Sequence, residues 1–148
     1  MFIHTLRLDR LDALMNELSA TSFCNEKLLS YALNDANVHM FVIRNVGQTV
    51  ATGTLCLKHT LGFAIADIES VVVSYKCRGR GYGKELMTAI VEAAKKMNLH
   101  HIQLTSYPAR VAANQPYQKF GFERYETNCY RLKGYRLWGR ELFSGCFL

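Results

Sequence analysis

Proline is nearly missing from this chain, with Pro108 and Pro116 its two examples, and tryptophan occurs once, at Trp138. No Pro/Ser-rich linker, internal repeat or low-complexity tract interrupts the 148 residues, so one ordinary domain with a real core is expected. Cysteine is present but never paired in sequence. Cys24, Cys56, Cys77, Cys129 and Cys146 are an odd, scattered set without a CxxC. Their spacing argues against a zinc site or a disulfide frame and fits the reduced thiols of a cytosolic compartment. No apolar run is long enough to span a bilayer, and the first residues lack the form of a secretory signal. The expectation is a cytoplasmic protein without a membrane partner or a metal.

Acidic residues are scarce in the second half. Residues 75–148 hold 13 Lys and Arg against 5 Asp and Glu, whereas residues 1–74 hold 5 against 7, so the net charge of +6 is carried by one half. A basic half attracts nucleic acid, a membrane surface or a polyanionic small molecule. The asymmetry begins at "CRGRGYGKE", residues 77–85, where three glycines alternate among cations between an apolar run and an amphipathic helix. Glycine there permits a tight turn and close approach of the backbone. Cations beside a helix start point to an anion. A P-loop is excluded because Gly83-Lys84 is followed by Glu85, and a Rossmann fingerprint because Lys84 stands where its third glycine belongs.

The periodicity predicts an α/β order. "FIHTL" reads as a short strand, followed by a helix capped by Asp9 with Leu11, Leu14, Met15 and Leu18 as its apolar stripe. "NEKLLSYAL" reads as a second helix capped by Asn25. "HMFVIRN" and "TVATGTLCLK" form a hairpin around Gly47, and "ADIESVVV" a strand whose β-branched run suggests burial on both faces. Leu86, Met87, Ile90, Val91, Ala94 and Met97 recur at helical spacing. "HIQLTS" then reads as a buried strand, "RVAANQPYQKF" as a short helix stopped by Gly121, and "FERYE" with "NCYRLK" as a closing hairpin. His100-His101 reads as a polar helix-to-strand connection, not as a metal site. This order sets the glycine loop at the C-terminal end of a strand, where open α/β sheets bind ligands.

"IESVVVSYKCRGRGYGKELMTAIVEAA" with "IQLTS" and "AANQPYQKFGF" resembles the core of the GNAT superfamily of acetyl-CoA-dependent N-acetyltransferases over roughly residues 39–133. Arg78-Gly79-Arg80-Gly81-Tyr82-Gly83 satisfies that family's Gln/Arg-x-x-Gly-x-Gly/Ala loop. The resemblance implies a splayed, mostly antiparallel sheet flanked by helices. It also implies that backbone amides around Gly79–Gly83, with Arg78, Arg80 and the helix start, hold the pyrophosphate of coenzyme A. Val71, Val72 and Val73 match the stretch whose main chain pairs with the pantetheine arm. Asn114 is carried over as a cofactor contact, although Arg110 stands where many members have an asparagine, and Pro116 replaces the usual leucine.

Acetylating an amine requires a neutral nucleophile and a proton for the departing thiolate. A lysine-like amine with pKa about 10.4 is almost wholly protonated at pH 7, so a positioned base matters. Asp67 and Glu69 stand two apart on a strand and leave the same face. Glu69 resembles the acidic residue in the "IED" of glucosamine-6-phosphate N-acetyltransferases and is the candidate base, acting directly or through water; Asp67 and bulk water are the alternatives. Tyr117 matches the family tyrosine that protonates the thiolate, a role suited to a phenol neutral at pH 7. Cys77 flanks the loop, but nothing in the sequence supplies the His and Asp partners of an acyl-cysteine route.

The reading is an acetyl-CoA-dependent transferase acting on the primary amine of a small molecule by direct attack. Its alternatives are a protein N-terminal or lysine acetyltransferase, or a non-catalytic acyl-CoA-binding module. Nucleic-acid binding by the basic half forms a third class and is not the expectation. The transferase domain is assigned to residues 1–134. Residues 135–148, "YRLWGRELFSGCFL", are too apolar for a solvated tail and read as an added strand or as the arm of a homodimer.

Overall fold

The apolar and β-branched runs pair into four strands in the computed structural model, which describes residues 11, 14–17 and 25–130. Residues 11 and 14–16 are helical, with Leu11 and Leu14 buried. "FIHTL", Asp9 and Leu18 lie outside the described residues. Helix α1 (Glu26–Asn34) starts where Asn25 Oδ1 accepts the Leu28 amide at 3.1 Å, the cap that the sequence suggests. Strands β1 (Val38–Asn45) and β2 (Gln48–His59) form an antiparallel hairpin. Its two-residue turn sets both Val46 and Gly47 at positive φ, 47° and 73°. Glycine accepts that conformation freely, whereas valine does so under strain.

Strand β3 (Ala64–Val73) pairs antiparallel with β2, and β4 (His101–Leu104) pairs parallel with β3, giving the order β1-β2-β3-β4. A parallel neighbour requires a crossover, and helix α2 (Tyr82–Lys95) supplies it. Leu86, Met87, Ile90 and Ala94 of α2 are buried in one cluster with Ile43, Val50, Ala51, Leu55, Ala66 and Ile68. Val91 and Met97 of the predicted stripe are half-buried. The sheet is mixed and mostly antiparallel, as the sequence implies.

Two features depart from the sequence reading. Strand β4 ends at Leu104 and alternates exposed with half-buried residues, so it is a short, partly covered strand and not a buried one. Residues 122–130 carry no strand, while Arg131–Lys133 of the expected closing hairpin lie outside the described residues. Helix α3 (Val111–Lys119) forms as predicted, with Pro116 inside it and Gly121 at φ 86° just beyond.

Candidate active site

Strand β3 outruns its neighbour β4. Its parallel pairing with β4 covers only Ile65–Ile68 against His101–Leu104, yet β3 runs on to Val73. Among the described residues, the β4-side edge of Glu69–Val73 is left without a strand partner. At the same point the register with β2 slips. Thr54 faces Glu69 and Thr52 faces Val72, so Ser70 and Val71 together oppose Gly53. Ser70 accommodates this bulge at φ 54°, a left-handed conformation unusual for serine. Gly53 on the other strand gives close packing: a Cβ there would lie 2.9 Å from Ile90 Cδ1 and 3.4 Å from Val71 Cγ2. The bulge falls directly after Glu69, one residue beyond the last pair of β3 with β4. No pattern in the sequence announces it.

Past Val73 the chain makes a 3-10 turn, Tyr75–Cys77, and then the glycine loop. Gly79 and Gly81 sit at φ 76° and 87°, and a Cβ on either would meet nothing within 4 Å. The loop therefore selects glycine for backbone conformation and leaves open space above it. Gly81 is also the N-cap of α2 and has no side chain with which to cap it. The first amides of α2 thus have no intrahelical acceptor and no side-chain substitute, which makes the helix start a site for anionic oxygen. The residues present fit a pyrophosphate. Arg80 is exposed beside this opening, whereas Tyr82 is half-buried against the core. Arg78 is turned back instead: its Nε donates to the Val73 carbonyl at 3.2 Å, and its guanidinium lies 3.9 Å from the Glu17 carboxylate.

The two carboxylates share a face, since Asp67 and Glu69 oppose Cys56 and Thr54 of β2, but differ in surroundings. Asp67 is 8% exposed, forms an ion pair with Lys58 on β2, and accepts a 2.7 Å hydrogen bond from Gln103 Nε2 on β4. It ties three strands together. The hydrogen bond between Lys58 and the Asp67 carboxylate raises the Lys58 ammonium above the usual lysine value. Glu69 is exposed, and no hydrogen bond or ion pair engages it among the described residues. Beside them, burial pushes the Cys56 thiol above its ordinary value, and the Glu69 and Asp67 charges add to the effect. Neither Lys58 nor Gln103 was marked by any motif; only the register shows what they do.

Val72 is buried, and Val71 and Val73 pack against the core, so their side chains are sheet core and only their main chain is offered at the open edge of β3. Tyr117 is carried by the helix after β4. It is half-buried, meets Phe122 edge-on with centroids 6.3 Å apart, and packs against the core cluster. Burial raises its hydroxyl above the ordinary tyrosine value, with Arg110 pulling the other way. Asn114 Nδ2 donates to the carbonyls of Tyr107 at 3.0 Å and Pro108 at 3.4 Å, fastening the β4–α3 loop. His100 and His101 lie at the helix-to-strand connection, where His100 stacks on Phe63 at 4.8 Å.

The sequence model of the Acetyltransferase (GNAT) family matches residues 7–122. The chain belongs to that family. Its fold is shared with a putative acetyltransferase from Agrobacterium tumefaciens, at 26% identity and TM-score 0.76 over 85% of this chain and 93% of the other. Glucosamine-6-phosphate N-acetyltransferase from Arabidopsis thaliana is similar at 18% identity and TM-score 0.73, over 87% and 95%. An aminoglycoside N-acetyltransferase in complex with CoA is similar at 17% identity and TM-score 0.71, over 85% and 88%. GNAT members use acetyl-CoA as acyl donor, and acetyl transfer is the reaction that membership supports. No helix among the described residues is long and apolar enough to cross a membrane.

Proposed function

We propose that this GNAT member acetylates the primary amine of a small molecule by direct attack on acetyl-CoA. The observation that carries the reading is the continuity of three features on one stretch of chain. These are the open edge of β3 over Glu69–Val73, the glycines whose Cβ side is empty, and the uncapped start of α2. Together they offer main-chain hydrogen bonds to a pantetheine arm and oriented amides to a pyrophosphate. The Gly79–Gly83 backbone and Arg80 bind the phosphates in this reading. Arg78 acts by holding the loop, and Asn114 by fastening the loop before α3.

Acetyl-CoA supplies an acetyl group activated as a thioester. Glu69, exposed beside the open edge of β3, takes a proton from the acceptor ammonium directly or through water. The freed nitrogen forms the C–N bond as the C–S bond breaks, Tyr117 gives its proton to the sulfur, and the second proton leaving the nitrogen returns through water to the phenolate. Asp67 is a poor alternative base because Lys58 and Gln103 already occupy its oxygens. Direct attack is favoured over an acyl-cysteine because burial and two carboxylates disfavour the Cys56 thiolate. The test is thiol release from acetyl-CoA across polyamines, amino sugars, aminoglycosides, amino acids and peptides, with product masses. Amino sugars and aminoglycosides head the panel because structural neighbours carry those activities in their names. Turnover with a small amine above the peptide rate is expected; turnover confined to peptides would transfer the assignment to protein acetylation.

A further inference from the structure

The approach to the glycine loop is held by a residue from far away in the chain. The 3-10 turn Tyr75–Cys77 begins at Ser74, whose side chain does not cap it. Glu17, next to the helical residues 14–16, supplies the cap across 57 residues of sequence. Its Oε1 accepts from Ser74 Oγ at 3.1 Å and its Oε2 from the Tyr75 amide. The same Oε2 lies 3.9 Å from the Arg78 guanidinium, while Arg78 Nε donates to the Val73 carbonyl at 3.2 Å. Both ends of the segment from Ser74 to Arg78 therefore meet one carboxylate. The next residue is Gly79, where the left-handed turns of the loop start. A carboxylate accepting from an amide and a hydroxyl forms charge-assisted bonds, stronger and more directional than neutral ones.

We infer that Glu17 is a positioning residue for coenzyme A: it fixes the 74–78 turn so that the Gly79–Gly83 amides are preorganised before the pyrophosphate arrives. The inference rests on the phosphate reading of the loop. It adds to it a residue outside the matching motif, on the N-terminal side of the fold. Preorganisation strengthens binding by lowering the ordering cost, so the anchor acts on cofactor affinity and not on the chemical step. The geometry also admits an opposite consequence, because Glu17 places a negative charge beside a cation of the loop. The two effects predict opposite signs, and the measurement separates them.

Glu17→Ala, Glu17→Gln and Ser74→Ala are compared with wild type by calorimetric titration of CoA, steady-state kinetics and amide exchange of the ligand-free proteins. We expect Glu17→Ala to weaken CoA binding and raise the KM for acetyl-CoA by about tenfold, with kcat and the acceptor KM unchanged. Glu17→Gln, which keeps acceptor oxygen but loses charge, and Ser74→Ala, which deletes one bond, should fall between. Exchange at Tyr75–Arg78 should quicken in the same order without global unfolding. Tighter CoA binding in Glu17→Ala would overturn the inference and make Glu17 a competitor of the phosphates. So would unchanged exchange and affinity in a folded variant. If wild type binds no CoA, the phosphate reading falls and takes the cofactor role of Glu17 with it, whereas a failure confined to the variants leaves that reading intact.

Discussion

Two side chains carry the proposed chemistry, and the structure gives each a testable surrounding. Tyr117 is half-buried, and burial raises its hydroxyl above the ordinary value of about 10. A raised folded value means that the native state holds this proton more tightly. The associated stability is present below pH about 10 and is lost as pH rises through the folded value. The phenol is therefore neutral throughout pH 6–9, and Tyr117→Phe should lower kcat by a factor constant across that window, with CoA affinity nearly kept. A pH-dependent deficit, or full turnover under rate-limiting chemistry, would reduce Tyr117 to a packing residue. Glu69→Gln is expected to lower kcat/KM by about 10²-fold or more. Turnover near the wild-type rate would move the base to water, since Asp67 is bound to Lys58 and Gln103.

At the level of elements, the glycine loop was readable because its residues answer to backbone geometry. Gly79 and Gly81 occupy positive φ, and nothing lies where their side chains would go. Gly81→Val should weaken CoA binding at least tenfold, about 1.4 kcal/mol, by filling that space and straining the turn. Gly81→Asn, which tolerates the left-handed region, separates the strain from the filling. Titration showing wild-type affinity in a folded Gly81→Val protein would remove the phosphate assignment. Helix α2 was equally legible from its stripe, as was the β1–β2 hairpin from Gly47. The bulge was not, because "IESVVV" reads as an unbroken β run and the positive φ of Ser70 accompanies a register slip against β2. The roles of Lys58, Gln103 and Glu17 were hidden for the same reason: each depends on a partner brought near only by register or tertiary contact. Asn114 has a structural task that its polarity alone does not disclose, since its Nδ2 holds the carbonyls of Tyr107 and Pro108. Gly53→Ala tests the bulge. Its new Cβ, 2.9 Å from Ile90 Cδ1, should overpack the α2–sheet contact and lower stability by about 1–3 kcal/mol in urea unfolding. A neutral result would mean that Ile90 yields freely and that Gly53 is not required there.

For the whole molecule, the open question is what completes the sheet. Among the described residues β4 pairs only with β3, so its far edge offers unpaired main chain, and its exposed residues offer no deep cover. Residues 135–148 lie outside the described residues, but Tyr135, Leu137, Trp138, Leu142, Phe143, Phe147 and Leu148 make them too apolar to remain in water. We propose that this segment packs as an added strand or arm, and that it does so across a two-fold dimer. An exchanged arm buries such side chains twice within one closed interface, whereas an isolated chain has one copy of each to bury. Deleting residues 135–148 should then yield a monomer, or a protein of low solubility, and should leave the glycine loop in place. Light scattering of the full-length protein provides the decisive comparison. A dimer at micromolar concentration that the deletion dissociates supports the arm, while a full-length monomer confines the segment to its own sheet.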